Sequence, residues 1–335
     1  MRTIAIEEHF LARGFGEVMA REASKRGGGA NAGFPAELQA KLADLGDLRL
    51  KDMDAGGIDL QVISHGVIDG LSLPDVEMVR LARQANDQLA EAVAAHPTRF
   101  AGFATLPMVK PEAAADEMER TVRSLGFKGA LINGTTNGRF LDDPSFLPVL
   151  ERAVALDVPI YIHPAFPPAP VWEAYYAGFD PAVSSALSRG GWGWHSETAI
   201  HALRLILSGV FDRLPGLQII IGHMGEMLPF MFARIQNVLS PVAKHLQHPV
   251  PEYFLRNFHF TTSGFFTDPP LLLALELMGA DRIIFSVDYP YSTNQQGRAF
   301  LDSASISPDD KEKISHLNAE RLLKLTATSA ESPHH

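Results

Sequence analysis

Glu7-Glu8-His9 ends an apolar run near the N-terminus. His163 closes Val158-Pro159-Ile160-Tyr161-Ile162, His223 closes Ile219-Ile220-Ile221-Gly222, and Asp288 closes Ile283-Ile284-Phe285-Ser286-Val287. Carboxylates and imidazoles in this combination are ligands for a divalent cation. Side chains alternate across a strand, so Glu7 and His9 share one face and Glu8 points the other way. A lone histidine at a strand end is more often a hydrogen-bonded core residue, since an interior polar group without a partner is costly. Four strand ends that bring Glu and His, His, His and Asp to one rim favour a metal instead. Imidazole nitrogen with carboxylate oxygen suits Zn2+ or Mn2+ alike, and three or four protein ligands leave a position open for water or substrate. The chain has no cysteine, which excludes disulfides and thiolate ligands.

The elements that must position these groups follow from patterning. Short apolar runs at 3–8, 60–64, 100–106, 129–133, 159–163, 218–222, 259–262 and 282–287 read as strands. Most are nearly continuous in apolar residues, as parallel strands covered on both faces are. Between them, residues 76–95, 111–125, 144–156, 197–208, 269–278 and 308–323 carry apolar residues at helical spacing. Eight strands alternating with helices predict an α/β fold of the (β/α)8 TIM-barrel type. Long loops are expected after strand one, around Gly27–Gly33, and after strand five, over 164–194. Both follow the C-terminal end of a strand, the face on which barrels build active sites. Residues 1–328 are read as one barrel domain and 329–335, with His334-His335, as a disordered tail.

With 335 residues, 46% hydrophobic and 20% charged, the chain is long enough for a large core. Its formal net charge of −10 argues against nucleic acid, which needs a basic face. No segment approaches the roughly 18–20 apolar residues of a membrane span, and Met1-Arg2-Thr3 leads straight into a strand without a signal-peptide pattern. A cytoplasmic protein that binds neither membrane nor nucleic acid is expected.

Taken together, Ile219–Glu226 (Ile-Ile-Ile-Gly-His-Met-Gly-Glu) and Ser286-Val287-Asp288-Tyr289-Pro290 resemble the amidohydrolase superfamily. The resemblance extends to Arg99–Pro107, Gly129–Gly134, Asp142-Asp143-Pro144 and Asn318–Leu323, nearly the whole chain. More narrowly it is to the branch holding aminocarboxymuconate semialdehyde decarboxylase and the hydroxybenzoate decarboxylases. Many hydrolases of the superfamily carry His-x-His on strand one and a carbamylated lysine on strand four. Here strand one has Glu7-x-His9 and strand four ends in Asn133, the version seen in the γ-resorcylate, dihydroxybenzoate and 5-carboxyvanillate decarboxylases.

The resemblance implies a mononuclear site with Glu7, His9, His163 and Asp288 as metal ligands, and His223 with Glu226 as a catalytic pair. It implies nonoxidative decarboxylation of a hydroxylated aromatic carboxylic acid, a carboxy-lyase reaction, with Asp288 as proton donor to the ring carbon. His223 would bond a substrate oxygen and Glu226 would set its tautomer. Phe166, Trp172, Trp192, Trp194, Phe265 and Phe266 are candidates for a ring-stacking wall, for core packing or for an oligomer contact. A homodimer or homotetramer is implied by the same resemblance. Ser64-His65-Gly66 and the 166–194 segment are expected to line the pocket but match no particular substrate. The rival readings are a mononuclear metal-dependent hydrolase or hydratase of a small carboxylic acid, and a metal-binding barrel without catalysis.

Overall fold

The computed structural model describes residues 1–18, 34–66 and 73–325. The expected glycine-rich loop at Gly27–Gly33 and the tail at 329–335 lie outside the described residues. The strands are β1 (Ile4–Phe10), β2 (Leu60–His65), β3 (Phe100–Gly102), β4 (Ala104–Thr105), β5 (Ala130–Asn133), β6 (Ile160–His163), β7 (Ile219–Ile221), β8 (Phe258–Thr261) and β9 (Ile283–Ile284). All pairings between neighbours are parallel, in the order β1-β2-β3 and β4 through β9. Each expected strand is present, its ends shifted by at most three residues.

The third barrel position is the one that differs. The expected run 100–106 is broken at Phe103, because its first half pairs with β2 and its second half with β5. At the break the Phe103 N–H donates to Ile63 O (2.9 Å) and the Ala104 N–H to Gly129 O (2.8 Å), so the wall stays closed. Closure between β9 and β1 uses side chains. One backbone pairing joins Glu8 to Tyr289, with His9 N–H donating to Tyr289 O at 2.7 Å. The Glu8 carboxylate accepts the Val287 and Tyr289 N–H groups, each at 3.0 Å, while Ser286 Oγ accepts the Glu7 N–H at 2.6 Å. These bonds replace a ladder that the two-residue β9 is too short to supply. Burial raises the Glu8 carboxyl to about 8, against the opposing pull of those two N–H donors.

Inside the barrel, Ile4, Ile6, Leu60, Val62, Phe103 and Tyr161 belong to one buried cluster, and Ala319 and Leu323 of the helix Asn318–Leu323 pack onto it. Asn318 Nδ2 donates to Ala280 O and Ile283 O, both 2.7 Å, which fixes that helix at the end where β9 begins. A larger core lies between the strands and the surrounding helices. Helices Asp75–Ala95, Pro111–Leu125, Leu147–Leu156, Gly193–Leu207 and Asp268–Met278 follow the apolar periodicity closely. Among the described residues no helix is long and apolar enough to cross a membrane.

The expected loop at 164–194 needs correction. It contains helices Ala169–Tyr175 and Pro181–Ser188, and the next helix already begins at Gly193. Proline stands in the first turn of both inserted helices, and Asp180 caps the second by accepting the Ala182 N–H at 2.9 Å. Each helix is too short for apolar spacing to announce it.

Candidate metal centre and its imidazole–carboxylate pair

The first strand aims its two ligating groups through a bulge. Three steps along β1 from Ala5 to Glu8 match two along β2 from Gln61 to Ile63. The parity of the strand therefore reverses, so Ile4 and Ile6 face the interior and so do Glu7 and His9. Bulges re-aim side chains in this way beside active sites. His163 ends β6, while His223 and Asp288 lie just beyond β7 and β9, so all five groups meet at the C-terminal mouth.

Glu7, His9, His163 and Asp288 each bring one ligand atom to a common point, all four atoms lying within 4.8 Å of one another. His9 Nε2 stands 3.2 Å from Asp288 Oδ1, and His163 Nε2 stands 3.4 Å from Glu7 Oε1. Glu7 Oε1, His9 Nε2 and Asp288 Oδ1 are buried and have no hydrogen-bond partner. Three orphaned buried atoms turned toward each other are what a cation would satisfy. The other side of each group is fixed. His163 Nδ1 lies 2.7 Å from Pro164 O, so that nitrogen carries the proton and Nε2 keeps its lone pair. Burial, aided by His9, depresses His163 to about 3 and keeps the ring neutral. His9 Nδ1 faces Ser64 Oγ at 3.3 Å. Glu7 Oε2 accepts from Tyr161 Oη, Ser263 Oγ and Thr261 Oγ1, which leaves Oε1 for the centre. This donor set fits one divalent cation.

Beside the cluster, Glu226 lies between two imidazoles. His223 Nδ1 is 2.7 Å from Glu226 Oε1, and His195 Nδ1 is 2.5 Å from Glu226 Oε2. Burial alone would lower His223, but the charges of Glu226 and Glu7 outweigh it and raise the ring to about 10. Burial likewise raises Glu226, and the two imidazoles overcome that to hold it below the usual carboxylate range. The segment that carries this pair is strained. His223, Met224, Gly225, Glu226 and Met227 all have positive φ, from 52° to 81°. Four of the five are not glycine, and each such residue costs on the order of 1–2 kcal/mol.

A sequence profile described as amidohydrolase matches residues 36–325. The chain belongs to the amidohydrolase family. Among its relatives is a γ-resorcylate decarboxylase of a Polaromonas species, 40% identical over 96% of this chain and 98% of that one. A dihydroxybenzoic acid decarboxylase structure from Polaromonas, with bound manganese and the inhibitor 2-nitroresorcinol, superposes with a TM-score of 0.85 at 37% identity, covering 96% and 97% of the two chains. The 5-carboxyvanillate decarboxylase of Sphingomonas paucimobilis gives 0.88 at 33% identity, covering 97% and 99%. The (β/α)8 barrel and the decarboxylase branch expected from the sequence are both borne out.

Within this amidohydrolase the expected residues are brought together, and further groups join them. Asn133 ends β5 in register with His163. Tyr161, Thr261 and Ser263 went unmarked in the sequence, although alternation alone puts Tyr161 on the face of His163. His195 carried no local signal, since it opens a helix and meets Glu226 only through the fold. Of the aromatic candidates, Phe265 stands edge-on to both His195 and His223, with centroids 5.4 and 5.9 Å away. Phe166 pairs with Trp194 and lies under the Arg189 guanidinium, whereas Phe266 packs on Phe300 away from the two histidines. His65 is buried between the rings of Phe10 and Phe15 rather than open to a pocket.

Proposed function

We propose that this amidohydrolase is a divalent-metal-dependent carboxy-lyase that removes CO2, without redox chemistry, from an aromatic acid with a hydroxyl ortho to its carboxylate. The observation that carries the reading is the set of four converging ligand atoms, three of them orphaned, on a chain so similar to decarboxylases of this kind. Glu7, His9, His163 and Asp288 would hold one Zn2+ or Mn2+, and manganese, present in the Polaromonas structure, is the first ion to test. Held there, such an ion would supply the positive charge that orients the substrate carboxylate and draws charge from the ring.

The remaining work falls to side chains. Asp288 is the most open of the four groups, its side chain 18% exposed while Oδ1 is buried, which leaves the second oxygen as the accessible one. A proton on that oxygen passes to the ring carbon bearing the carboxylate. The C–C bond then breaks, its electron pair restores the aromatic ring, and CO2 leaves. His223, held protonated by Glu226, donates from Nε2 to a substrate oxygen. Phe265 supplies an apolar face beside it.

A panel of hydroxybenzoates that includes 2,6-dihydroxybenzoate tests the reading. CO2 should appear in equal amount with the decarboxylated phenol, vanish when a chelator strips the protein and return with Mn2+ or Zn2+. Metal bound in unit stoichiometry with no CO2 from any member would favour the hydrolase or hydratase reading. We also propose a homodimer or homotetramer, supported by the exposed apolar side chains Phe166, Tyr175, Phe179, Trp192 and Phe230. Light scattering after size exclusion should give a mass of two or four chains, and a monomer at micromolar concentration would contradict it.

A further inference from the structure

The His195 ring is buried, and each of its nitrogens faces an oxygen that can only accept. Nδ1 meets the Glu226 carboxylate at 2.5 Å and Nε2 meets the Gly190 carbonyl at 3.0 Å. A neutral imidazole has one N–H and would leave one of these contacts as a clash of lone pairs. We infer that His195 is a positioning residue, protonated on both nitrogens, that locks Glu226, and through it His223, while fastening the insertion after β6 to the mouth of the barrel.

Three observations support this. First, Glu226 sits within a run of five positive-φ residues, and such a run persists only where its surroundings over-determine it. His223 lies on that same run, so its bond to Glu226 joins two strained residues to each other. His195 holds Glu226 from a separate helix, and so ties the run to the rest of the barrel. Second, the turn that presents Gly190 O is packed too closely for side chains. A Cβ on Gly191 would lie 2.8 Å from Ala186 O, and one on Gly193 would lie 2.3 Å from Ser188 O. The carbonyl is therefore set by a turn with little freedom to move. Third, Phe265 stands edge-on to both imidazoles, whose centroids are 5.0 Å apart, so the Glu226 bridge and the aromatic ring fix the same pair. The chain of contacts runs from the insertion through His195 and Glu226 to the group that faces substrate.

Two conservative variants separate the two contacts. Asparagine places an amide N–H where Nδ1 was and keeps the bond to Glu226; glutamine places one nearer Nε2 and keeps the bond to Gly190. His195→Asn should retain kcat within about threefold, while His195→Gln should lose roughly 10- to 100-fold in kcat with KM and bound metal little changed. The opposite order, or equal activity in both variants, would overturn the inference. Nitrogen-15 NMR of the histidine rings provides a readout independent of activity: the resonances missing in both variants, with the other histidine signals unchanged, should be those of a doubly protonated ring. A single neutral tautomer in the wild type would sink the proposal. The kinetic arm rests on the decarboxylase reading. If the wild type releases no CO2, that reading fails while the NMR result still decides the state of His195.

Discussion

At the residue scale each converging group is divided into a side held by the protein and a side left free. Glu7 shows this best, with Oε2 held by three hydroxyls and Oε1 left toward the centre. The arrangement needs Gly222 beside it. A Cβ there would lie 2.9 Å from Glu7 Oε2 and 3.1 Å from Tyr161 Oη, although the backbone at φ −77° accepts any residue. Gly222→Ala should therefore fold, yet lose roughly 10- to 100-fold in metal affinity as the carboxylate is pushed off its hydroxyls. Metal titration followed by dye competition measures this, and wild-type affinity would show that the hydroxyl cradle does not matter. The converging groups were legible because each closes an apolar run and because side chains alternate along strands. His195 was not, since nothing within its own helix distinguishes a buried imidazole partner from a solvated first-turn residue.

At the element scale the first strand does two jobs on neighbouring residues. Its bulge turns Glu7 and His9 inward, and Glu8 between them closes the barrel against β9. Alternation in the sequence correctly separated Glu8 from Glu7 and His9 but assigned it no role. The reason is that its partners, the Val287 and Tyr289 amides, lie at the other end of the chain. Glu8→Ala orphans two buried N–H groups and should destabilise the fold by about 2–5 kcal/mol. Glu8→Gln, which keeps one acceptor oxygen, should lose less. Urea midpoints report both, and an Ala variant as stable as wild type would mean that the backbone alone closes the wall. The insertion at 164–194 was misread as irregular for a different reason. Helices of seven or eight residues leave only proline and Asp180 as signals, and these also mark turns.

At the scale of the whole molecule the eight-strand rhythm was readable because parallel strands buried on both faces are unbroken apolar runs. Several histidines are built into that core as neutral rings. His201 accepts the Leu141 N–H at 3.0 Å, and His259 accepts from Arg282 Nη1 at 3.0 Å. Burial, with nearby arginines adding to it, lowers both to about 3. In the unfolded chain they bind protons below about 6.5, where the native state does not. Stability should thus be lost as pH falls from about 6.5 toward 3, by about 1.4 kcal/mol per pH unit for each ring. Urea unfolding at pH 7 and pH 5 tests this, and equal free energies at the two values would contradict it. The proposed decarboxylation at the converging groups has Asp288 as its proton donor. Its most direct test is CO2 release by Asp288→Asn, with bound metal and far-ultraviolet circular dichroism measured on the same preparation. The variant should be folded and should have lost essentially all turnover; CO2 release at the wild-type rate would rule out Asp288 as the donor.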